Sequence, residues 1–179
     1  MAHGRVALVT GSSRGLGAEI ARRLARDGFA VAVNGRPGDD GVAAVARIIE
    51  GDGGTAAGFG ADVTAEDQVN SLVTAITSTF GPIDVLVLNA TGPQPEAPVT
   101  EVGWADHAAQ LDFFVKSPVL LGRAVVPGMQ MRRWGRIVQI DSELWTDPRR
   151  ADLPTSRRRA HRSASAAAGR TSSLPSASP

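Results

Sequence analysis

The eight residues TGSSRGLG, Thr10 to Gly17, stand between an apolar run, GRVALVTG (4–11), and the segment GLGAEIARRLARDGFA (15–30). Glycines at this kind of junction permit a tight turn and let the backbone come close to a bound pyrophosphate, while the first turn of the following helix offers outward N–H groups and the positive end of its dipole. In the segment that follows, Leu16, Ile20, Leu24 and Ala25 recur at the three-to-four spacing of an amphipathic helix, and Gly28 stops it. A glycine triplet alone is common in turns. Here strand, turn, helix and second strand occur in order, which is the context a phosphate-binding turn requires. The candidate contact residues are Gly11, Ser13, Arg14, Gly15, Leu16 and Gly17.

Outward from that turn the same alternation continues. AVAVN (30–34) reads as a second strand, DDGVAAVARIIEGDGG (39–54) as a second helix closed by glycines, and TAAGFGADV (55–63) as a third strand. AEDQVNSLVTAITSTFG (65–81) predicts a helix, PIDVLVLNATG (82–92) a β-branched buried strand, and residues 101–135 a long helical stretch before RIVQID (136–141). Strands apolar throughout and joined by helices imply a parallel sheet covered on both faces, since right-handed crossovers place helices above and below it. The expected fold is α/β, a doubly wound Rossmann-like parallel sheet of about five strands.

Composition narrows the class. A chain of 179 residues, 42% hydrophobic, suits one domain with a buried core. No run reaches the eighteen apolar residues of a membrane span, and the N-terminus lacks a cleavage-site pattern, so a cytoplasmic protein is expected. With no cysteine and only His3, His107 and His161, widely spaced, no metal site is expected. Residues 1–146 hold 12 basic and 16 acidic side chains, whereas 147–179 hold seven arginines against Asp147 and Asp152. That last segment has only Leu153 and Leu174 as large aliphatics and no aromatic. It cannot bury enough apolar area to offset its ordering entropy, about 1–2 kcal/mol per residue for the backbone. Residues 1–146 therefore read as a dinucleotide-binding domain and 147–179 as a low-complexity, disordered or weakly helical tail. A nucleic-acid-binding role for the tail is disfavoured, because no aromatics interleave with its arginines for base stacking.

Four motifs in order carry a family resemblance: TGSSRGLG at 10–17, ADV at 61–63, LVLNATG at 86–92 and GRIVQIDS at 135–142. Over about its first 145 residues the chain resembles the short-chain dehydrogenase/reductase family, close in style to its 3-oxoacyl-acyl-carrier-protein reductases. The resemblance implies that Asp62 contacts the adenine amino group and Val63 its ring, that Asn89 and Ala90 line the cofactor cleft, and that Ser142 hydrogen-bonds the substrate oxygen. The plain alternatives are that Asp62 caps the following turn and Asn89 holds the sheet end together. At the end of the second strand an acidic residue would bind a ribose 2′-hydroxyl, whereas arginine can pair with a 2′-phosphate. The chain reads VNGRPGDD (33–40), with Asn34 and Arg36 at that place and Arg14 in the glycine turn. NADP is expected over NAD, because Asp39 and Asp40 come slightly late to reach the ribose, though a longer loop could bring them back.

The family's proton donor is a tyrosine, followed four residues on by a lysine, with an asparagine anchoring a water. Counting thirteen residues from Ser142, the family's usual spacing, lands on Thr155, and four more on Arg159; the sequence holds no tyrosine, and its only lysine is Lys116. A gapless count places Phe114 at the asparagine. The expectation is an oxidoreductase by descent, acting on an unknown small carbonyl or alcohol, and inactive as written. The alternative is a non-catalytic dinucleotide-binding or regulatory protein. The change of texture near residue 150 is expected to reflect truncation or a shifted reading frame. On that reading the fifth strand is an open sheet edge, and a homo-oligomer lacks part of its interface.

Overall fold

The computed structural model describes residues 4–92, 101 and 103–141; Ser142, residues 93–100 and the arginine-rich tail lie outside them. The strands are β1 (Val6–Val9), β2 (Ala30–Gly35), β3 (Thr55–Gly60), β4 (Ile83–Leu88) and β5 (Arg136–Gln139). The helices are α1 (Gly15–Arg26), α2 (Asp40–Gly51), α3 (Glu66–Phe80), α4 (Trp104–Leu111) and α5 (Ser117–Met131), the last two joined without a break by a π turn, Asp112–Lys116. All strand pairs are parallel and the order is β3-β2-β1-β4-β5. The doubly wound sheet expected from the sequence is the sheet observed.

Each central strand divides its side chains between two cores, because successive residues of a strand point to opposite faces. Val6 and Leu8 of β1 join Ala30, Ala32 and Leu86 beneath α3 and α5, against Leu72, Ile76 and Leu121. Ala7 and Val9 join Val31, Val33 and Val87 beneath α1 and α2, where Ala18, Ala21 and Ala25 give α1 a small-residue face that lies close on the sheet. No polar residue is needed on either face, which is why the strand sequences run apolar without alternation.

The order of strands reverses between β1 and β4: from β1 the chain winds outward through β2 and β3, then returns to β4 on the other side. A crevice opens at such a switch point, outside the carboxyl ends of the strands. The amino ends are closed instead. Asp84 accepts from the Val6 N–H at 3.0 Å, Arg132 donates to the Ile83 carbonyl at 2.8 Å, and the Arg5 guanidinium stacks 3.9 Å from the Trp134 ring centroid.

Among the described residues β5 is the outer strand on its side, and Ile137 and Val138 are about half exposed. Trp104, Leu111, Val115 and Val119 on the α4–α5 rod are likewise exposed. No helix among the described residues is long and apolar enough to cross a membrane.

Candidate functional site

The glycine turn is fixed by close approach. Gly11 takes φ +62°, and a Cβ there would lie 2.8 Å from Ala90 Cα. A Cβ on Gly17 would lie 2.4 Å from the Gly11 carbonyl oxygen and 2.5 Å from Asn89 Nδ2. Gly15 differs: it is left-handed, at φ +57°, yet faces open space. Two of the three glycines thus lock the turn, and the third shapes its outer surface.

Two buried hydroxyls that the sequence reading passed over anchor this turn to the sheet. Thr10 Oγ1 donates to the Val87 carbonyl at 3.2 Å and accepts from the N–H groups of Asn89 and Ala90 at 3.0 and 3.1 Å. Ser12 Oγ donates to the Val9 carbonyl at 2.7 Å and accepts from the Asn34 N–H at 3.0 Å. Their signal was present: polar residues flanking Gly11 at the end of an apolar strand must find partners, since an unpaired buried hydroxyl is costly. Asn89 completes the lock, its amide donating to the Thr10 and Gly11 carbonyls at 3.0 Å each. The sheet-end role held open for Asn89 is therefore realised in the geometry, with Ala90 packed against Gly11 beside it.

At the start of α1, Arg14 is the N-cap in extended conformation, with no side-chain cap bond and no acidic residue in the first turn. By contrast α2, α3 and α4 begin with Asp40, with Glu66 and Asp67, and with Asp106. A helix start without acid or cap presents its orphan N–H groups and dipole to an anion. The cradle at Gly11 and Gly17, the open surface at Gly15 and this bare helix start together fit a pyrophosphate. Ser13 is half-buried, while Arg14 and Leu16 are exposed around it.

The adenosine side departs from expectation at Asn34. This residue is 1% exposed, and its carboxamide donates to the carbonyls of Gly35, Phe59 and Ala61, each at 3.2 Å. It ties β2 to β3 and turns away from the crevice. Arg36 remains exposed beyond the strand end. Asp39, slightly late in sequence, is brought back by its loop: its carboxylate accepts from the Gly41 N–H at 3.0 Å and lies beside Ser13 around Gly35 and Gly41.

Asp62 accepts from both the N–H and the hydroxyl of Thr64, at 2.9 and 2.7 Å, so the turn-capping alternative is present here too. Val63 is buried behind it. The Thr64 N–H, more than any other partner, holds the Asp62 carboxyl below its ordinary range against the opposing effect of burial, with the Thr64 hydroxyl and the charges of Arg36 and Lys116 adding to it. The Ser13 hydroxyl does the same for Asp39, aided by the Gly41 N–H and the Arg14 charge.

Both shifts are downward, so the folded state favours the ionised carboxylates. Their contribution is fully present above the unfolded carboxyl value of about 4 and is lost as pH falls through the lower folded values. Urea unfolding at pH 7 and pH 5 is expected to give the same contribution from these groups, with the decline confined below about pH 4. Asp62→Asn is expected to flatten that acid limb; an unchanged acid limb would show that the Thr64 contacts carry no stability.

Beside the turn, at the carboxyl ends of β4 and β5, lies a shallow pocket walled by Thr10, Leu88, Ala90, Phe113, Phe114 and Ile140. Phe114 sits in the π turn, a one-residue bulge of the kind that re-aims side chains at functional sites. Lys116, in the same turn, pairs with Asp112 at 3.8 Å, and its charge acts on Asp62, on the adenosine side. Ser142 lies outside the described residues; the strand that leads to it, β5, ends at the pocket rim with Gln139 and Ile140.

A doubly wound parallel sheet with an anion-accepting glycine turn at its switch point defines a dinucleotide-fold protein. The family profile described as short chain dehydrogenase matches residues 5–151. The 2-dehydro-3-deoxy-D-gluconate 5-dehydrogenase of Formosa agariphila is 35% identical over 139 residues, covering 78% of this chain and 52% of that protein. A metagenomic short-chain oxidoreductase solved in complex with NADP superposes with a TM-score of 0.73 at 35% identity, covering 80% of this chain and 65% of that one. A gluconate 5-dehydrogenase from Burkholderia cenocepacia J2315, solved with NADP and tartrate, gives 0.70 at 34% identity, covering 78% and 54%. The chain belongs to the short-chain dehydrogenase family. It spans about half the length of the curated relatives it matches.

Proposed function

We propose that this chain binds NADP(H) in the crevice between β1 and β4, as a short-chain oxidoreductase by descent. The observation that carries the reading is the glycine cradle, locked by Thr10, Ser12 and Asn89 under a helix start that has neither cap nor acid. Gly11, Ser13, Arg14, Gly15, Leu16 and Gly17 surround the pyrophosphate; Arg36, with Arg14, faces the adenosine phosphate. Asp62 and Val63 flank the adenine, and Asn89 and Ala90 carry the cleft toward the pocket. Related proteins solved with NADP support the choice of cofactor. When bound, the nicotinamide supplies a hydride to a carbonyl carbon, or takes one from an alcohol.

This chain's own residues then bind and orient, with Ser142 as hydrogen-bond donor to the substrate oxygen. The substrate class is a small carbonyl or alcohol, in the manner of the 3-oxoacyl-acyl-carrier-protein reductases. Residues 1–146 form the binding domain of a cytoplasmic protein, and 147–179 are a low-complexity tail. The second reading, binding without turnover, is favoured by one observation: Phe114, not a polar residue, walls the pocket where the water-anchoring asparagine belongs.

Calorimetric titration of the 179-residue chain with NADPH and NADH tests the proposal. Saturable binding with NADPH the tighter is expected, and binding of neither would refute it.

A further inference from the structure

The pocket at the carboxyl ends of β4 and β5 runs on from the glycine turn. Thr10 and Ala90 belong to both: they line the pocket, the Ala90 N–H donates to Thr10 Oγ1 at 3.1 Å, and a Cβ on Gly11 would lie 2.8 Å from Ala90 Cα. A dinucleotide seated with its pyrophosphate on the turn has this recess within reach of its nicotinamide. Among the described residues no ionisable side chain lines it. Leu88, Phe113, Phe114, Pro118 and Ile140 make the wall apolar, and its polar members, Thr10, Ser117 and Gln139, are neutral. Phe113 packs against the core, and its ring leaves no room for a Cβ on Gly92, which would lie 2.6 Å away. Phe114, the next residue of the π turn, is half-buried. The charges of that turn, Asp112 and Lys116, are about half exposed and paired with each other at 3.8 Å, outside the wall. On the other side, Arg14 and the uncapped, acid-free start of α1 are positive.

We propose that this pocket makes the chain a redox-state-selective binder: with Phe114 in its wall it accepts the neutral dihydronicotinamide and disfavours the cationic nicotinamide, so NADPH binds more tightly than NADP+. The proposal rests on the dinucleotide reading above and deepens it. The two forms of the cofactor share their phosphates, riboses and adenine and differ by one hydride, whose addition removes the positive charge of the ring. Contacts at the glycine turn and the arginines are common to both forms and cancel in the ratio of their affinities. The surroundings of the ring remain. A cation moved from water to an apolar wall loses hydration, and no carboxylate lines this wall to replace it. Full burial disfavours the charged form of a group by about a thousandfold or more, and a shallow pocket realises a part of that, about tenfold. The face of a phenyl ring attracts a cation by about two- to fivefold at an exposed site, which opposes the effect without cancelling it.

Calorimetric titrations of the full chain with NADPH, NADP+ and adenosine 2′,5′-bisphosphate, which lacks the nicotinamide, are compared among wild type, Phe114→Leu, Phe114→Asn and Phe114→Gln. In the wild type NADPH is expected to bind about tenfold more tightly than NADP+. Phe114→Leu keeps the wall apolar and loses the ring, so the ratio is expected to hold or rise. Phe114→Asn and Phe114→Gln offer a carbonyl oxygen to the cation and are expected to narrow it, with the bisphosphate bound alike throughout. Equal constants for the two redox forms in the wild type, or tighter NADP+, overturn the proposal whatever the variants do. A ratio unchanged in the two polar variants also overturns it, and where neither of them folds, a fall of the ratio in Phe114→Leu does so. Bisphosphate binding beside equal NADPH and NADP+ constants leaves the dinucleotide reading intact. Wild-type chain that binds none of the three ligands removes that reading and the proposal together.

Discussion

Gly17→Ala is expected to abolish measurable dinucleotide binding and to lower the unfolding free energy by about 2–3 kcal/mol, the upper range for forcing a methyl into a filled space. The added carbon would meet the Gly11 carbonyl oxygen at 2.4 Å, Asn89 Nδ2 at 2.5 Å and Ser12 Cα at 2.9 Å. Two of these are backbone atoms, and the third belongs to an amide that is itself bonded to the Thr10 and Gly11 carbonyls. Nothing in contact is the loose end of a flexible side chain. Relief requires α1 to lift from the turn, and that motion moves the N–H groups that would hold the pyrophosphate. Gly122→Ala is the matched control: Gly122 lies inside α5, and a Cβ there meets nothing within 4 Å. Alanine in a helix interior is worth up to about 1 kcal/mol over glycine, so this variant is expected to be slightly more stable and to bind as wild type does. Urea unfolding and calorimetry on the two variants give opposite signs if the turn is locked as described. Wild-type affinity in Gly17→Ala would show that the turn tolerates the shift.

Much of this architecture is legible in the sequence because each layer repeats one physical rule. Val6 to Val9 and Ile83 to Leu88 read as buried strands without any pairing information, since only a sheet covered on both faces tolerates such runs. The long helix before β5 was also readable, but not its π turn at Asp112–Lys116. That bulge adds one residue to the helical ring between α4 and α5, and apolar spacing along the sequence does not encode it. Asn34 illustrates a different limit. A polar residue at a strand end next to a phosphate-binding turn suggests a ligand contact, yet carbonyls on β2, on β3 and at Ala61 just beyond it claim its amide first. Asp39, counted along the chain, comes late unless its loop bends back, and Gly38 at φ +79° bends it back beside Ser13. Thr10 and Ser12 act through buried hydroxyl bonds to the sheet, which residue spacing in a glycine turn does not reveal. Chain counting finds which residues are near a site, and the backbone turns between them decide which ones face it.

Mixing the chain with NADPH and a small ketone or an acetoacetyl thioester is expected to give no cofactor oxidation above background. In the family resembled here a tyrosine hands the proton to the nascent alkoxide, with a neighbouring lysine lowering a phenol pKa that is ordinarily about 10. These 179 residues contain no tyrosine, and the one lysine, Lys116, is paired with Asp112 at 3.8 Å. The threonine that falls at the tyrosine's spacing, Thr155, stays un-ionised in water and offers no comparable acid. Ser142 can orient a carbonyl by one hydrogen bond, but an oriented carbonyl still needs a proton as the hydride arrives. Phe114 adds to the deficit, because an apolar ring in the pocket wall anchors no water through which a proton could be relayed. Loss of general acid catalysis costs a factor of about 10²–10⁴, or roughly 3–5 kcal/mol of barrier. From an ordinary turnover of about 10 per second that leaves about 0.1 per second at most, before the lysine and the asparagine are counted. None of these absences touches the residues proposed to hold the cofactor, so binding is expected to persist. Tight NADPH binding with a flat absorbance trace is thus the expected pair of results. Steady NADPH consumption at an ordinary enzymic rate overturns the assignment, because some other ionisable group must then reach the substrate oxygen beside Ser142.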